Sequence, residues 1–583
     1  MISIRTLLKD QHQATSNSYR YFWLFLIFST SSTQASFTDS LTIGNAKALS
    51  LGHAVTADPP GIDSVHFNPA GLTELKGRQF HLKGVYGIFE MEMEMGEYGE
   101  YQQNLIDNWV NDPNHSSYFV DGNGNLTPAG QAFIYDEAHN AKSEVEGPTI
   151  MLPGTGMVDL PFAGGVMGGA SYTPTGSRFT FATNVYAPMM NGLHRAKDDP
   201  GRYAQERVAF TVITYFSPSI AYELTDELSI GLAITFNYAG MGMELPAREP
   251  HAGIFFLGSS WTQDNFCNGK PAGNDPSDPD TNICTTVVNA YEEYANLSFE
   301  VEQLDALGYN LGLLWSPQPW LSLGVAYNSK INADMDGNFE FPVNDNFKTF
   351  LVGLMSGSTY SGAEQALGSA LDLPTAEEIQ NDAKGKMNVQ YELPQHLAAG
   401  ISVQILPRWK TNFDVKWTEW SAFSNINLNF GKSVGLLKLG GVVDTLLYNG
   451  ENGITGNSVK YKLGLQDVTY WGMGTEYQYN DKLALRFGFE DRPSAVPEDR
   501  PNAFIPINDG KLYSAGFAYE LKNDDHIDFA LGYFNSKTHF PPCSADVGNG
   551  CNLNNVVYPV FQGQDLKTNV TFYLIELMYS RHF

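Results

Sequence analysis

Long apolar runs are scarce in this chain, and their scarcity limits how it could enter a membrane. The apolar run 21–28 is far shorter than the roughly 20 residues that a membrane-spanning helix needs, and no later run reaches that length. A chain without such runs can still cross a bilayer through the strands of a closed barrel, in which all backbone groups are paired.

Positive charge is also sparse. The 583 residues include 35 Lys and Arg against 64 Asp and Glu, a formal net charge of −29. This balance argues against nucleic acid as a partner, because phosphate binding needs clustered basic residues. All charged residues together make up 17 % of the chain, whereas aromatic residues reach 13 %. A disordered chain would lack those aromatics.

Only four cysteines are present, and each lies in a segment of loop-like composition. Their spacing, Cys267 with Cys284 and Cys543 with Cys551, predicts two local disulfides in an exported protein. A zinc site is the alternative, but the sequence contains neither CxxC nor HExxH. We therefore predict no metal site and no cofactor.

The N-terminus has the order of an export signal. Arg5, Lys9 and Arg20 precede the apolar run 21–28, and small residues follow up to Ala35. A basic region, an apolar region and a small-x-Ala ending predict a signal peptide over 1–35, with cleavage after Ala35.

Alternation with a period of two residues is the strongest pattern in the chain. Leu228, Ile230 and Leu232 share one face of a segment, whereas Ser229 and Gly231 share the other. A soluble β-sandwich also alternates. Here, however, the second face is small or charged, as at Arg486, Glu490 and Asp528, and this favours a lipid-facing barrel with a wet lumen.

The connections between alternating segments differ in length in a regular way. Short turns such as 225–227 and 480–482 alternate with long connections such as 246–302 and 336–386, which is typical of outer-membrane barrels. We predict an all-β, membrane-spanning antiparallel barrel over 78–583. Its fourteen strands lie near 78–95, 156–173, 176–190, 204–223, 226–245, 303–316, 319–335, 387–405, 408–429, 459–479, 482–491, 511–522, 525–540 and 566–583.

The two ends of the mature chain have separate predicted roles. Residues 36–77 do not alternate and are small, polar and glycine-rich. Because a fourteen-stranded lumen would leak if empty, we predict that they form a hatch that plugs it. The last strand alternates up to Phe583, although Arg581 breaks the pattern. It resembles the signal read by the barrel-assembly machinery of a Gram-negative outer membrane.

At this point the chain resembles the FadL family of long-chain fatty acid transporters over nearly its whole mature length. The segments that carry the resemblance are 48–52 with Ala57-Asp58 and Asn68-Pro69-Ala70, then Leu393-Pro394 with Trp417-Thr418-Glu419-Trp420-Ser421, then 486–491 with Pro493, Pro497, Arg500 and Ile505-Pro506, and finally the strand that ends at Phe583.

The resemblance implies a monomer in the outer membrane, in contact with the bilayer and lipopolysaccharide. Family members capture a hydrophobic small molecule in a groove made by two long loops and pass it to a pocket in the lumen. They release it sideways, near a kinked third strand beside the Asn-Pro-Ala turn. Here the capture loops would be 246–302 and 336–386, and the cargo would be long-chain fatty acids.

Several residues are predicted to contact or gate the cargo. Exposed apolar runs in long loops usually mark binding surfaces, although the two loops could instead pack on each other. Arg248 is the basic residue that could meet a carboxylate. Arg500 is either a ligand group or the partner of Asp491 in a salt bridge of the wall, which we favour. The predicted set is Asn68, Pro69, Ala70, Arg248, Phe255, Phe256, Trp261, Leu351, Leu354, Trp420, Asp491 and Arg500.

Three other functions stay open at the level of sequence. The same barrel could import aromatic or alkane hydrocarbons, because Gln466 stands where a second base would support carboxylate binding. An outer-membrane acyl hydrolase needs a nucleophile with a base, and neither G-x-S-x-G nor an obvious Ser/His pair is present. A surface adhesin would use the long loops, but their apolar content argues against a polar contact surface. We predict a transporter rather than an enzyme.

Overall fold

Strands account for most of the structure, a computed structural model that describes residues 41–111, 119–248, 250, 289–356, 372–448, 450, 453–498, 500–505, 509–522, 524–545, 547–551 and 560–583. The predicted signal peptide lies outside these residues, so its cleavage stays a prediction. Phe255, Phe256, Trp261, Cys267 and Cys284 also lie outside them.

The described residues contain twenty-three strands. They are β1 (Gly77–Tyr98), β2 (Ala141–Glu144), β3 (Thr149–Leu152), β4 (Gly156–Asp159), β5 (Ala163–Thr173), β6 (Phe179–Asn184), β7 (Tyr186–His194), β8 (Arg207–Phe216), β9 (Ser219–Glu223), β10 (Leu228–Ala247), β11 (Ala295–Gln318), β12 (Leu321–Asn328), β13 (Ile331–Phe341), β14 (Ala383–Leu393), β15 (His396–Leu406), β16 (Trp409–Thr418), β17 (Asn425–Phe430), β18 (Ser458–Lys462), β19 (Val468–Asn480), β20 (Leu483–Arg492), β21 (Gly510–Glu520), β22 (His526–Phe540) and β23 (Gln564–His582).

Short helices occupy the lumen and the loops. They are α1 (Ala46–Ser50), α2 (Ser64–Phe67), α3 (Glu100–Val110), α4 (Pro128–Ile134), α5 (Asp345–Ser356), α6 (Ala376–Gln380) and α7 (Gly435–Tyr448), with 3-10 turns at Gly61–Asp63, Pro69–Glu74, Pro200–Tyr203 and Trp420–Ser424. Among the helices in the described ranges, none combines the length and the apolar character needed to cross a bilayer.

The fourteen-stranded antiparallel barrel is confirmed. Six of its strands are interrupted and consist of two segments each: β6 with β7, β8 with β9, β12 with β13, β14 with β15, β16 with β17, and β18 with β19. The first strand, β1, pairs antiparallel with the last, β23, from Gln79↔His582 to Tyr98↔Gln564. This pairing closes the sheet and removes its free edges.

Above the membrane the apolar residues change from the outward face of the strands to the inward face. This change explains where the predicted strand bounds were wrong. On β1, Leu82, Tyr86 and Ile88 face outward and are exposed, whereas further along the same strand Met91, Met93 and Met95 face inward and are buried. The glutamates that alternate with these methionines point into solvent. A strand prediction that follows apolar residues on the outward face therefore ends before the strand itself does.

Two predicted loops are therefore shorter than expected. β11 already begins at Ala295 and β13 continues to Phe341, each inside a predicted capture loop. The outward positions on these strand ends are acidic, whereas inward residues such as Phe299 and Phe339 are buried. The segment 156–159, predicted to start the second barrel strand, instead pairs with β3 in a separate hairpin.

The N-terminal hatch fills the lumen and is held by buried polar contacts. His53 Nδ1 lies 2.9 Å from Glu490 Oε2, and Thr56 Oγ1 donates to Asp414 Oδ2 at 2.7 Å. Asp63, fully buried, pairs with Lys83 of β1. Several charged groups of the inner face are thus bound by partners in the hatch.

Wall glycines let the backbone of the hatch approach the strands. A Cβ on Gly231 of β10 would lie 2.2 Å from the carbonyl carbon of Pro69 and 2.4 Å from the nitrogen of Ala70. Because no real Cβ tolerates such contacts with backbone, this position must lack a side chain for the Asn-Pro-Ala turn to sit there. The face of small residues, which indicated a wet lumen, therefore also makes room for the backbone of the hatch.

Replacing Gly231 with alanine should loosen the hatch without unfolding the barrel. Overpacking of this kind costs about 1–3 kcal/mol, and the hatch is the part that can move. Amide hydrogen exchange over 41–75 should become faster. Gly84→Ala is the matched control, because nothing lies within 4 Å of a Cβ at that position. Equal rates of amide hydrogen exchange in the two variants would contradict the conclusion that Gly231 makes room for the Asn-Pro-Ala turn.

One of the two predicted disulfides is present. Cys543 and Cys551 are bonded, with Cα atoms 4.8 Å apart, in the connection between β22 and β23. The bond lies outside the closed ladder of the barrel. Reduction should therefore change the gel mobility of the denatured chain but leave the thermal midpoint of the barrel within about a degree. A barrel that melts on addition of a thiol would show that the bond also supports the wall.

Candidate ligand site in the lumen

An apolar cavity of about 340 Å³ occupies the outer half of the lumen. This volume lies in the usual range of small-molecule sites. None of the described residues that line it is charged. The lining includes Met91, Phe210, Met241, Met243, Phe299, Phe341, Leu428 and Phe430.

The cavity is a direct consequence of strand geometry. β11 carries a bulge opposite Tyr238 of β10, because the pair Asn237↔Ala306 is followed by Ala239↔Gln303. On one side of this bulge Leu307, Tyr309 and Leu311 of β11 face lipid; on the other side Phe299 and Val301 are buried on the inner face. A bulge of this kind moves the apolar face from the outside to the inside of the wall.

A smaller polar chamber of about 90 Å³ adjoins the apolar cavity. The two share Met189 and Trp420, so the predicted site residue Trp420 stands where they meet. The indole is almost fully buried. Polar side chains line the chamber: His66, Tyr186, Thr214, Thr235, Asn237, Asn310, His396 and Thr418.

The Asn-Pro-Ala turn is buried in the hatch, in contact with the wall. Asn68 Nδ2 donates to the carbonyl of Thr56 at 2.7 Å and to that of Leu313 on β11 at 3.1 Å. Its Oδ1 accepts from Ala70 N at 3.2 Å and so caps the turn that follows. The turn therefore joins the hatch to the strands that line the polar chamber.

A gap in the wall opens beside the cavity. β5 pairs with β6 only from Gly169↔Asn184 to Tyr172↔Phe181. Past the kink at Val185, whose N–H donates to the carbonyl of Gly168, the described residues show no pairing between β5 and β7. Ala163 on one side and Met190 on the other belong to the cavity lining. The cavity thus borders the unpaired stretch of the wall.

The hairpin β3–β4 is fixed to the outside of the wall next to this gap. Met151 N donates to Thr211 Oγ1 of β8, and Met157 N to Glu300 Oε1 of β11, both at 2.9 Å. Arg207 Nε donates to Asp159 at 2.8 Å. Partial burial alone would raise the pKa of the Asp159 carboxyl, but hydrogen bonds from Thr149 and Arg207 hold that pKa below its usual value. The hairpin is therefore anchored by a charged aspartate.

Arg248 is placed differently from its predicted role. Its guanidinium is fully buried, donates through Nη1 to Asp136 Oδ1 and through Nε to the carbonyl of Val560, both at 2.7 Å, and stacks on Tyr203. A cargo carboxylate would compete with Asp136 for it. Nη2 makes no hydrogen bond within the described part of the chain, so one donor is left.

The salt bridge predicted between Asp491 and Arg500 is not formed. Arg500 is exposed, and the charged neighbour that affects Asp491 is Lys511 on the adjacent strand. Alternation along β20 explains this, because it turns Asp491 outward. The residues on either side of it, Glu490 and Arg492, face the lumen and pair with each other at 2.9 Å.

The second predicted capture loop packs on itself in the part that is described. Leu351 of α5 is buried against Phe347, Phe350 and Ile379. Leu354 lies on the same helix, but its side chain is outside the described set. This cluster forms part of the cover over the barrel, and whether it also captures cargo stays a prediction.

Sequence reasoning missed most of the cavity. Its lining comes from strand ends that had been assigned to loops or read as lipid-facing. A signal was available in Met91, Met93 and Met95, which alternate with Glu90, Glu92 and Glu94. On a barrel strand, charge on one face and apolar residues on the other can also mean that the outside is in water and the inside is dry.

Comparison with known proteins matches this geometry. The family model described as "Outer membrane protein transport protein (OMPP1/FadL/TodX)" covers residues 26–541. The chain belongs to this family. The OMPP1/FadL/TodX family consists of outer-membrane transport proteins, and the closed barrel is of the outer-membrane type. The chain is accordingly an outer-membrane protein.

Individual OMPP1/FadL/TodX relatives are distant. A "Long-chain fatty acid transport protein" of Escherichia coli O6:H1 is 25 % identical over 321 residues, 54 % of this chain and 57 % of that protein. "Outer membrane protein P1" of Haemophilus influenzae is 22 % identical over 324 residues, 55 % of each chain. The chain spans little more than half the length of the curated relatives it matches.

Solved structures share the fold over a larger part of the chain. A FadL homologue of Pseudomonas aeruginosa superposes with a TM-score of 0.58 at 14 % identity and covers 95 % of this chain and 100 % of its own. The toluene transporter TodX of Pseudomonas putida gives a TM-score of 0.53 at 14 % identity, with 92 % and 97 % covered. At such identities the likeness concerns the fold alone.

Proposed function

We propose that this protein carries hydrophobic small molecules through the outer membrane, with long-chain fatty acids as the first candidate cargo. The observation that carries the proposal is the uncharged apolar cavity that borders a gap in the wall. Burial of an acyl chain stabilises the complex by roughly 0.8 kcal/mol per CH₂. The cavity can thus bind such a chain without metal or covalent chemistry.

The proposed route has three steps. Cargo reaches the lumen from the loops, as predicted for 246–302 and 336–386, and occupies the apolar cavity. Its polar end can meet the polar chamber beyond Trp420. It then leaves sideways between β5 and β7, because the hatch beneath is held by buried polar contacts of Asp63 with Lys83 and of His53 with Glu490. No energy source enters this scheme, and transport is passive.

Neutral hydrocarbons are a second candidate cargo. The absence of charge from the described cavity lining favours them, and so does the pairing of Arg248 with Asp136. The names of the relatives point both ways, since one group is named for long-chain fatty acids and one solved structure for toluene. The feature that favours a carboxylate is Nη2 of Arg248, which has no hydrogen-bond partner among the described residues.

Two further features of the function are proposals that rest on the resemblance. We propose that the C-terminal strand, whose last residue Phe583 donates its N–H to the carbonyl of Arg78, is the segment that the barrel-assembly machinery reads. We also propose that the protein acts as a monomer. Assembly in a reconstituted membrane and mass measurement in detergent would address the two separately.

Filling the gap should separate binding from transport. A Cβ on Gly165 of β5 would meet nothing within 4 Å, so Gly165→Trp can place an indole in the open space. Uptake of labelled oleate by a transporter-deficient strain should fall at least tenfold, while binding to purified protein stays within twofold. Gly122→Trp, at an equally open position in a loop turn, is the control. Unchanged uptake in Gly165→Trp would rule out lateral exit.

A double substitution that leaves the net charge unchanged should distinguish the two cargoes. Arg248→Gln together with Asp136→Asn removes both buried charges at once and avoids leaving one of them unpaired, which alone costs about 3–5 kcal/mol. If the cargo is a carboxylate, affinity for oleate should fall about tenfold while affinity for oleyl alcohol stays unchanged. Arg207→Gln with Asp159→Asn is the control pair, outside the cavity. Equal loss for oleate and oleyl alcohol would contradict a carboxylate site at Arg248.

A further inference from the structure

The ladder of the wall is also interrupted between β11 and β13. β11 pairs with β13 over 298–302 and with β12 over 310–318. The stretches 303–309 and 329–335 lie between these two ladders and belong wholly to the described part of the chain, and no residue of 303–308 is paired with β13. We call the two stretches together the second gap.

Side chains take the place of the ladder in the second gap. At its outer end the N–H of Asp334 donates to Gln303 Oε1 at 2.9 Å. At its inner end the N–H of Tyr309 donates to Ser329 Oγ at 2.9 Å, and the N–H of Ser329 donates to the carbonyl of Tyr309. Backbone groups at membrane depth need partners inside the protein, and these side chains supply them. The second gap is therefore a built feature of the wall.

Three neighbouring strands are irregular at the level of the second gap. β11 has its bulge there, opposite Tyr238 of β10. β12 ends at Asn328 and β13 begins at Ile331, and in the row beside them Pro394 separates β14 from β15. Proline has no N–H to give to a ladder. These irregularities explain why the pairing of β11 is not continuous here.

Both edges of the second gap belong to the lining of the polar chamber. Gly308 and Tyr309 contribute to it from β11, and Ser329 and Ile331 from the other edge. A Cβ on Gly308 would lie 3.1 Å from Ile331 Cγ1, so the isoleucine side chain reaches across to the glycine. The chamber thus borders the second gap, and Ile331 is the residue that narrows it.

The second gap lies at the outer boundary of the lipid belt. Leu307 and Tyr309 are exposed at its inner end and continue the lipid-facing row of Leu311. At its outer end the exposed residues of β13 are polar, namely Asn332 and Asp334. Molecules that combine an apolar body with a polar group are stable at such a boundary, where one end is in lipid and the other is wet.

The chemistry of the chamber favours a small uncharged molecule. Its volume of about 90 Å³, against about 340 Å³ for the apolar cavity, is too small for a long acyl chain. None of the described residues that line it is a carboxylate, a lysine or an arginine. An anion would therefore be buried there without a lysine or arginine partner, which is costly.

A hydroxyl group is the polar group that the chamber can bind. Thr214 Oγ1 donates to Asn237 Oδ1 at 2.7 Å, and both oxygens keep lone pairs for a further hydrogen bond. A hydroxyl can donate to such oxygens without carrying a charge. Apolar surface for the body of the ligand comes from Met189, Ile331 and Leu393.

We propose that the polar chamber and the second gap form a second side exit, which serves small alcohols and phenols. Such a molecule passes Trp420, where the chamber meets the cavity, and leaves between β11 and β13 at the boundary of the lipid belt. Long acyl chains and hydrocarbons leave between β5 and β7. The inference rests on the proposed function, because the cargo must first reach the lumen.

The test compares uptake of labelled p-cresol with that of toluene, which has the same ring and methyl group but no hydroxyl. The strain lacks its own transporters and general porins, and the uptake of cells with an empty vector is subtracted. In Ile331→Trp the uptake of p-cresol should fall about tenfold, because an indole overfills the second gap. Uptake of toluene and oleate should not change. Ile331→Ala, which widens the second gap, should raise the uptake of p-cresol.

The matched controls use the same bulky side chain elsewhere in the wall. Ile230→Trp makes the same substitution at an exposed lipid-facing position of β10, and its uptake of p-cresol should equal that of the wild type. Gly165→Trp should show the reverse pattern, with loss of oleate and toluene uptake and unchanged uptake of p-cresol.

Two results would overturn the proposal. One is an equal loss of p-cresol and toluene uptake in Ile331→Trp. The other is uptake of oleate or toluene by the wild type with no uptake of p-cresol above that of the empty vector, which leaves the transport proposal intact. Uptake of p-cresol that depends on Ile331, without uptake of oleate or toluene, would instead support the second exit and contradict the proposed cargoes.

Discussion

Each barrel strand is longer than the membrane is thick, and most of the structure depends on this mismatch. In the lipid belt the outer face must be apolar, whereas above it the outer face must be in water. A strand has only two faces, so an apolar residue above the belt is best buried inside. The sequence achieves this in β1 and β10 by changing the residue types on the two faces, and in β11 by a bulge that shifts its register with β10. Because apolar residues avoid water, they face outward in the lipid belt and inward above it. The outer half of the lumen is therefore apolar.

The lower half of the lumen follows the opposite rule. Its faces are small or charged, and partners from the wall and from the hatch pair many of these charges. Arg486 bonds Glu476 and Asp528 within the wall, and Lys410 bonds Asp58 of the hatch at 2.8 Å. Buried pairs of this kind add little net stability, but breaking one of them is costly. They therefore fix where the hatch sits more than they strengthen the barrel.

The sequence carried enough information for the fold but only for part of the site. Alternation in the lipid belt, as at Leu228 to Ile234, identifies strands because lipid imposes one polarity on all of them. The hatch turn and Trp420 were found through their motifs. The cavity lining was missed because its polarity is that of an ordinary soluble strand, and Met241 or Phe299 looks the same in either setting.

Other features depend on pairings that no local pattern encodes. Arg248 could be recognised as a basic residue beyond a strand, but its partner Asp136 is 112 residues away, in a loop between helices and strands. The Asp491–Arg500 salt bridge was inferred from proximity in sequence, whereas parity along β20 decides which carboxylate enters the lumen. Glu490 lies an even number of positions from Arg486, so alternation places both on the inward face. Alternation would therefore have selected Glu490, not Asp491, as the carboxylate in the lumen.

The balance of contacts around the cavity bears on how cargo leaves it. Downward exit requires the hatch to move, and that would separate the buried ion pair of Asp63 and Lys83 and break the hydrogen bond between His53 and Glu490. Breaking a buried ion pair costs about 3–5 kcal/mol. The gap between β5 and β7 is already unpaired past Val185, and its edge residue Val166 is 73 % exposed to the outside. Among the described residues no ladder hydrogen bond joins β5 and β7, so the same charges that hold the hatch favour the wall as the route.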